Sequence, residues 1–143
     1  MAIELRFSWP TRVYWEDTDA GGVVYHARYV AFMERARSEW MRHLGYGQEA
    51  MRVGGGQVFV VRAMELDFLK PARLDDELQV TVELEQCRRA SLLMRQAVLR
   101  DGQPLATARV RLAAVSADGF KPQAIDEPLY ATLKPYEIKH VQL

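Results

Sequence analysis

The chain has 143 residues, 49% of them apolar, and 19 basic side chains balance 19 acidic ones. That length and composition suit a single domain over residues 1–143 with a real core, and the charge balance argues against a dedicated nucleic-acid binder, which needs a net positive face, while leaving room for local basic clusters. The one cysteine, Cys87, excludes an intrachain disulfide, no run approaches the ~20 apolar residues of a membrane span, and the opening MAIELRFSWP lacks a basic-then-apolar leader pattern. The expectation is a soluble, cytoplasmic protein in which Cys87 is a small apolar core residue rather than a nucleophile.

In chain order, Leu5 to Trp15 reads as a first strand, with Pro10 marking a break or a sheet edge. Glu16, Asp17, Asp19 and the pair Gly21-Gly22 follow, and then the apolar Val23-Val24-Tyr25. From Ala27 to Leu44 the residues Tyr29, Phe32, Met33, Ala36, Trp40 and Leu44 recur at helical spacing, predicting an amphipathic helix stopped by Gly45. At ~1.5 Å per residue it is about 27 Å long. The small Ala36 lets such a helix approach a sheet closely.

Gly54-Gly55-Gly56 reads as a mobile loop or lid; it runs into Gln57 with no lysine and serine or threonine, so it is not a phosphate loop. QVFVVRAMELDFLKPARL predicts an extended run ending at Pro71. In DELQVTVELEQCRR the residues Leu78, Val80, Val82 and Leu84 alternate with Gln79, Thr81, Glu83 and Glu85, as in a strand with one buried face. Two further strands flank the hairpin signal Asp101-Gly102. The tail from Asp118, with Pro122, Pro128 and Pro135, shows little regular pattern. One strand, one long helix and four more strands make an α+β layout, a five-stranded antiparallel sheet around one central helix. QVFVVRAM is apolar enough that pairing with a second copy would protect it as an edge strand, which predicts a homodimer.

The common nucleophile and metal signals are missing. Ser8, Ser38, Ser91 and Ser116 lie in no G-x-S-x-G, and His26, His43 and His140 are too dispersed for a zinc site. The opening segment remains. Asp17-x-Asp19 with Gly21-Gly22 falls just before the helix, where backbone N–H groups are free and the dipole is positive. A carbonyl held there could be polarised by an N–H while a carboxylate addresses its carbon. Spacing alone equally allows two acids that merely solvate or cap a turn.

The stretches YWEDTDAGGVVYHARYVAFMERAR and FVVRAMELDFLKPARLDDEL resemble the hotdog-fold thioesterases of the 4-hydroxybenzoyl-CoA thioesterase type. Within them the chain is most similar to the acyl-CoA thioesterases associated with the Tol-Pal system. The likeness runs from about Arg12 to about Pro122 and centres on D-x-D-x-x-G-x-V, continued by Tyr25 and Tyr29. The resemblance implies hydrolysis of an acyl thioester of coenzyme A to a free acid and the thiol, with Asp19 as nucleophile or general base. It implies the backbone N–H of His26 as oxyanion donor, with Tyr25 and Gly22 shaping the loop and Tyr29 packing. The His26 imidazole either hydrogen-bonds near Asp19 or orients the loop.

The same resemblance puts the site at a dimer interface, where Phe59, Val60, Val61 and Arg62 come from a partner subunit, within a homodimer or homotetramer. Arg88, Arg89 and Ser91 would meet the phosphates of coenzyme A, with Arg62, Lys70 and Arg73 as weaker candidates. Phe59, Val61, Met33 and Trp40 could line an acyl pocket or belong to the core. No cofactor is implied, coenzyme A being part of the substrate, and acyl carrier protein is a possible alternative carrier. Another branch of hotdog thioesterases carries its acid on the helix, where this chain has Glu34 and Glu39; Glu34 is the next candidate after Asp19, although it reads more simply as a partner for nearby arginines. The rival functions are a hotdog dehydratase acting on hydroxyacyl thioesters and a non-catalytic acyl- or protein-binding adaptor.

Overall fold

The computed structural model describes residues 3–54 and 56–138, so Gly55 and His140 of the sequence reading lie outside the described residues. The long helix, α1, spans His26–His43 and buries Tyr29, Phe32, Met33, Ala36, Arg37, Trp40 and Met41. All but Arg37 are apolar, and they recur three or four residues apart, so they form one stripe. Burying each large member contributes about 1.5–3 kcal/mol. Gly45, at φ +94, ends the helix as the sequence predicts. The Tyr46 N–H bonds the Met41 carbonyl at 2.8 Å and the Gly45 N–H bonds the Arg42 carbonyl at 3.0 Å, which satisfies carbonyls the last turn would leave open.

The five strands are β1 (Arg6–Arg12), β2 (Gln57–Phe68), β3 (Glu77–Cys87), β4 (Ser91–Arg100) and β5 (Gln103–Ser116). They form one sheet in the order β1-β3-β4-β5-β2, with every pairing antiparallel. Asp101 and Gly102, both at positive φ, close the β4–β5 hairpin. Pro10 sits on β1, an edge strand, the position in a sheet where a proline is tolerated. The other edge is β2, with a bulge between Val61 and Ala63. Helix α1 lies over β1, β3 and β4, and its stripe meets Leu78, Val80, Val82 and Leu84 of β3 in the core. This is the α+β, hotdog-like arrangement that the resemblance implied.

The structure corrects several sequence expectations. The first strand stops at Arg12 rather than Trp15, because the Asp17 carboxylate takes the Tyr14 N–H at 2.8 Å and winds Trp15–Asp17 into a short 3-10 turn. The second strand ends at Phe68 rather than Pro71, since the Leu69 and Lys70 N–H groups both turn to the Leu105 carbonyl, at 2.8 and 3.1 Å. Where the sequence reading places a loop from Gly54, Gln48–Gly54 forms a helix, α2, that takes in the first of the three glycines and packs Met51 on the core. Its Gln-Glu-Ala-Met-Arg run consists of good helix formers that the glycines overshadow. The tail also contains a helix, α3 (Glu127–Leu133), with Leu129 and Leu133 buried. Pro128 stands in its first turn, where no N–H is required, so this proline opens a helix instead of breaking one.

On β3 the alternation holds for its four apolar residues, but Thr81 and Glu85 are buried as well. Thr81 Oγ accepts the Ala97 N–H at 3.0 Å, and Glu85 forms ion pairs with Arg95 and Arg109 across the outer face of the sheet. Inside, Arg37 donates to Gln96 Oε1 at 2.9 Å, and Gln96 donates to the Met33 carbonyl at 2.9 Å. Burial lowers the Arg37 pKa from its usual value, with the Glu34 carboxylate opposing that shift.

Ala36 is fully buried in α1, so its small size sets how near the helix lies to the sheet. Ala36→Leu is expected to lower unfolding free energy by about 1–3 kcal/mol through overpacking, measured by urea denaturation. An unchanged midpoint would show that the helix has room to move away.

Candidate active site

Between the 3-10 turn and α1 the chain makes a small hairpin. Thr18 and Val24 form an antiparallel bridge, the Asp19 N–H bonds the Val23 carbonyl at 2.9 Å, and the Gly22 N–H bonds the Asp19 carbonyl at 3.1 Å. Gly22 has φ +79, a backbone conformation that side-chain-bearing residues adopt at a cost. Gly21 donates its N–H to Asp19 Oδ1 at 2.8 Å, and a Cβ at Gly21 would come within 3.3 Å of that same oxygen. The two glycines therefore serve different ends: Gly22 turns the chain and Gly21 makes room for the carboxylate. Asp19 is exposed, and its Oδ2 has no hydrogen-bond partner among the described residues.

The hairpin leads directly into α1. Tyr25 is its N-cap, in extended conformation (φ −63, ψ 133), and gives no side-chain cap; no acid stands in the first turn. The N–H groups of His26 and Ala27 have no acceptor among the described residues, leaving the positive end of an 18-residue helix open. The His26 ring stacks obliquely on Tyr25 at 4.5 Å between centroids and meets the edge of Phe68 at 6.4 Å. It makes no hydrogen bond to Asp19. Tyr29 is buried, and its hydroxyl accepts the Ala72 N–H at 3.0 Å. The Val24 N–H bonds the Ala72 carbonyl at 2.8 Å, so the segment after β2 braces both hairpin and helix.

The remaining candidates do not join this loop within one chain. Phe68, at the end of β2, lies against the first turns of α1, and Arg62 and Phe59 lie six and nine residues back along the strand. At ~3.3 Å per residue that is roughly 20 and 30 Å. Phe59 packs against the core, Val60 is half-buried, Val61 is exposed and Arg62 is the bulged residue. Arg88 is exposed in the β3–β4 turn, its N–H bonding the Ser91 carbonyl at 2.9 Å, and Ser91 opens β4 opposite Ala113. Arg89 pairs with Glu127 at 2.8 Å and covers the Tyr130 ring at 4.6 Å. Lys70 and Arg73 are exposed in the segment after β2, where Arg73 bridges Val23. Met33 and Trp40 are core residues. Glu34 is exposed near Arg37, and Glu39 pairs with Arg42. Among the described residues no three His, Cys, Asp or Glu side chains cluster as a metal set would. Cys87 is buried, which raises its thiol pKa.

Two features escaped sequence reasoning. Phe68, half-exposed beside His26, was only one apolar residue of a strand run. The acids of Asp17-Thr18-Asp19 also part company, since Asp17 is buried against Arg28 while Asp19 faces solvent. Arg28 in the first turn of a helix was the available signal, because a cation is unfavourable there without an acid beside it.

Comparison with known proteins shows the family. Residues 13–133 match the thioesterase-like superfamily. The chain is 44% identical over 129 residues to the acyl-CoA thioester hydrolase YbgC of Escherichia coli O6:H1, covering 90% of this chain and 96% of that protein. It is 42% identical over 125 residues to the acyl-CoA thioesterase YbgC of Haemophilus influenzae, covering 87% and 92%. The crystal structure of a probable thioesterase from Bartonella henselae superposes with a TM-score of 0.81 at 36% identity, covering 84% of this chain and 98% of that one.

Because a Cβ at Gly22 would meet nothing within 4 Å, only its φ resists substitution. Gly22→Ala is expected to cost about 1 kcal/mol and Gly22→Asn less, since asparagine tolerates the left-handed region. Equal losses in urea unfolding would contradict this account of the turn.

Proposed function

The chain belongs to the thioesterase-like superfamily, and from that premise we propose that it hydrolyses acyl thioesters of coenzyme A to a free acid and the CoA thiol. The observation that carries the reading is a carboxylate with a free oxygen, one hairpin away from an uncapped helix start. The thioester oxygen accepts from the His26 N–H, and the developing oxyanion is stabilised there by the helix end. Asp19 Oδ2 then serves in one of two ways. As a nucleophile it forms an acyl-aspartyl anhydride, expelling the thiolate, and water cleaves the anhydride to regenerate the carboxylate. As a general base it takes a proton from water, whose oxygen attacks the carbonyl carbon and displaces the thiolate. Either route consumes one water and releases one acid and one thiol.

Hydrolysis is better supported than dehydration of a hydroxyacyl thioester. A dehydratase needs an imidazole and a carboxylate that both exchange protons on one substrate, whereas the exposed His26 ring rests against Tyr25 and Phe68 and makes no hydrogen bond to Asp19. The reading includes a second copy of the chain. β2 is an apolar edge with Val61 49% exposed, and antiparallel pairing there would bring the partner's early β2 residues, Phe59 to Arg62, toward this loop. The β3–β4 turn carrying Arg88, Arg89 and Ser91 would follow it, offering guanidinium groups to the carrier's phosphates. Coenzyme A and acyl carrier protein present the same thioester, so a carrier-protein substrate falls within the same chemistry.

Free-thiol release from a panel of acyl-CoA esters, short to long and including an aroyl ester, tests the reading. Asp19→Asn is expected to lose about 10²-fold or more of kcat. His26→Ala keeps the donor and is expected to lose far less. His26→Pro deletes the N–H at the first helical position, where proline is tolerated and where the extended Tyr25 already suits a following proline. It is expected to cost about 10²–10³-fold in kcat. Absence of thiol release by the wild type on every ester would refute the reading. Equal loss in folded His26→Ala and His26→Pro would refute the backbone donor.

A further inference from the structure

Asp17 carries a charge that the proposed chemistry does not use, and it is only 4% exposed. Such a carboxylate is costly unless it is paired and hydrogen-bonded, and here it is both. Oδ1 accepts Arg28 Nε at 2.9 Å and lies 2.7 Å from Arg28 Nη2, while Oδ2 accepts the Tyr14 N–H at 2.8 Å. The backbone of Asp17 is held too: its N–H bonds the Tyr14 carbonyl and its carbonyl accepts the Tyr25 N–H, each at 2.9 Å.

These contacts converge from three directions. Asp17 is the residue before the hairpin, Tyr25 is the residue after it, and Arg28 belongs to the first turn of α1. One residue thus joins both legs of the hairpin to the helix start. A cation in the first turn opposes the helix dipole, so the position of Arg28 is unfavourable by itself and is compensated by Asp17. The arrangement also leaves the first N–H groups of α1 open. An N-cap side-chain oxygen would commonly occupy one of them, whereas Tyr25 supplies no side-chain cap and the Asp17 carboxylate is spent on the guanidinium.

We propose that the Asp17–Arg28 pair is the positioning device of the site, holding the Asp19 carboxylate and the His26 N–H in register without touching substrate. Its kinetic consequence rests on the thioesterase reading; its structural content does not. Arg28 is a fork that grips one carboxylate oxygen through two nitrogens, and lysine keeps its charge but loses that geometry. Removing either partner frees the hairpin to shift against the helix, and a displacement near 1 Å costs about 10²-fold in rate.

The test compares wild type, Arg28→Ala, Arg28→Lys and Asp17→Asn by two readouts, steady-state thiol release and amide exchange followed by NMR. In Arg28→Ala the kcat is expected to fall about 10²-fold while KM stays within roughly threefold, the pattern of misplaced groups rather than lost binding. The Gly22 and Tyr25 amides, bonded to the Asp19 and Asp17 carbonyls, should exchange about tenfold faster while the amide of Val80 in the core keeps its protection. Arg28→Lys should fall between Arg28→Ala and wild type on both readouts, and it keeps the proposal falsifiable if Arg28→Ala does not fold. Hairpin amides that exchange as in wild type would overturn the proposal. So would a raised KM with kcat retained, which would make Arg28 a ligand for substrate. A wild type without thiol release would refute the proposed function, and the exchange rates would still decide the clamp.

Discussion

The packing of α1 against β3 is the constraint on which the rest of the structure depends. Phe32, Met33, Ala36 and Trp40 meet Leu78, Val80, Val82 and Leu84 in a core with no solvent access to speak of. A dense interior does not let a helix slide or rotate without opening voids or overlaps. The helix is therefore fixed along its axis, and with it the place where its first unpaired N–H groups emerge. The C-terminal stop at Gly45 removes the remaining freedom of length. A site built at the beginning of such a helix inherits its rigidity from the whole core.

In the loop before the helix, identical chemical groups occupy different environments. Asp17 and Asp19 stand two residues apart, yet one is enclosed with an arginine and the other keeps a free oxygen toward solvent. A carboxylate held by two N–H donors and an ion pair is a structural tie, and one held by a single donor retains acceptor capacity for a further group. The tight turn at Gly22 and the contact room at Gly21 make that division possible within a short hairpin.

Much of this was legible in the sequence. The helical stripe, the alternation on β3, the Asp101-Gly102 hairpin and the Gly45 stop all follow from period and turn chemistry, because each rests on neighbours in the chain. What stayed hidden depends on distant partners or on competing local signals. The burial of Glu85 needs Arg95 and Arg109 from two other strands, and that of Arg37 needs Gln96. Helices α2 and α3 were masked by an adjacent triple glycine and by Pro128, residues more often read as breakers. In the site, the resemblance supplied Asp19 and His26, while the nearness of Phe68 and the Asp17–Arg28 tie became visible only in three dimensions.

The central claim is that a thioester carbonyl sits between the Asp19 carboxylate and the start of α1. A crystal structure with an acyl-CoA analogue in which a methylene replaces the sulfur tests it most directly, since the ketone keeps the carbonyl but cannot be hydrolysed. The account predicts the ketone oxygen about 3 Å from the His26 nitrogen and Asp19 Oδ2 either beside the carbonyl carbon or one water away from it. An analogue bound with its carbonyl away from the helix start, or with Asp19 out of reach of it, would contradict the account.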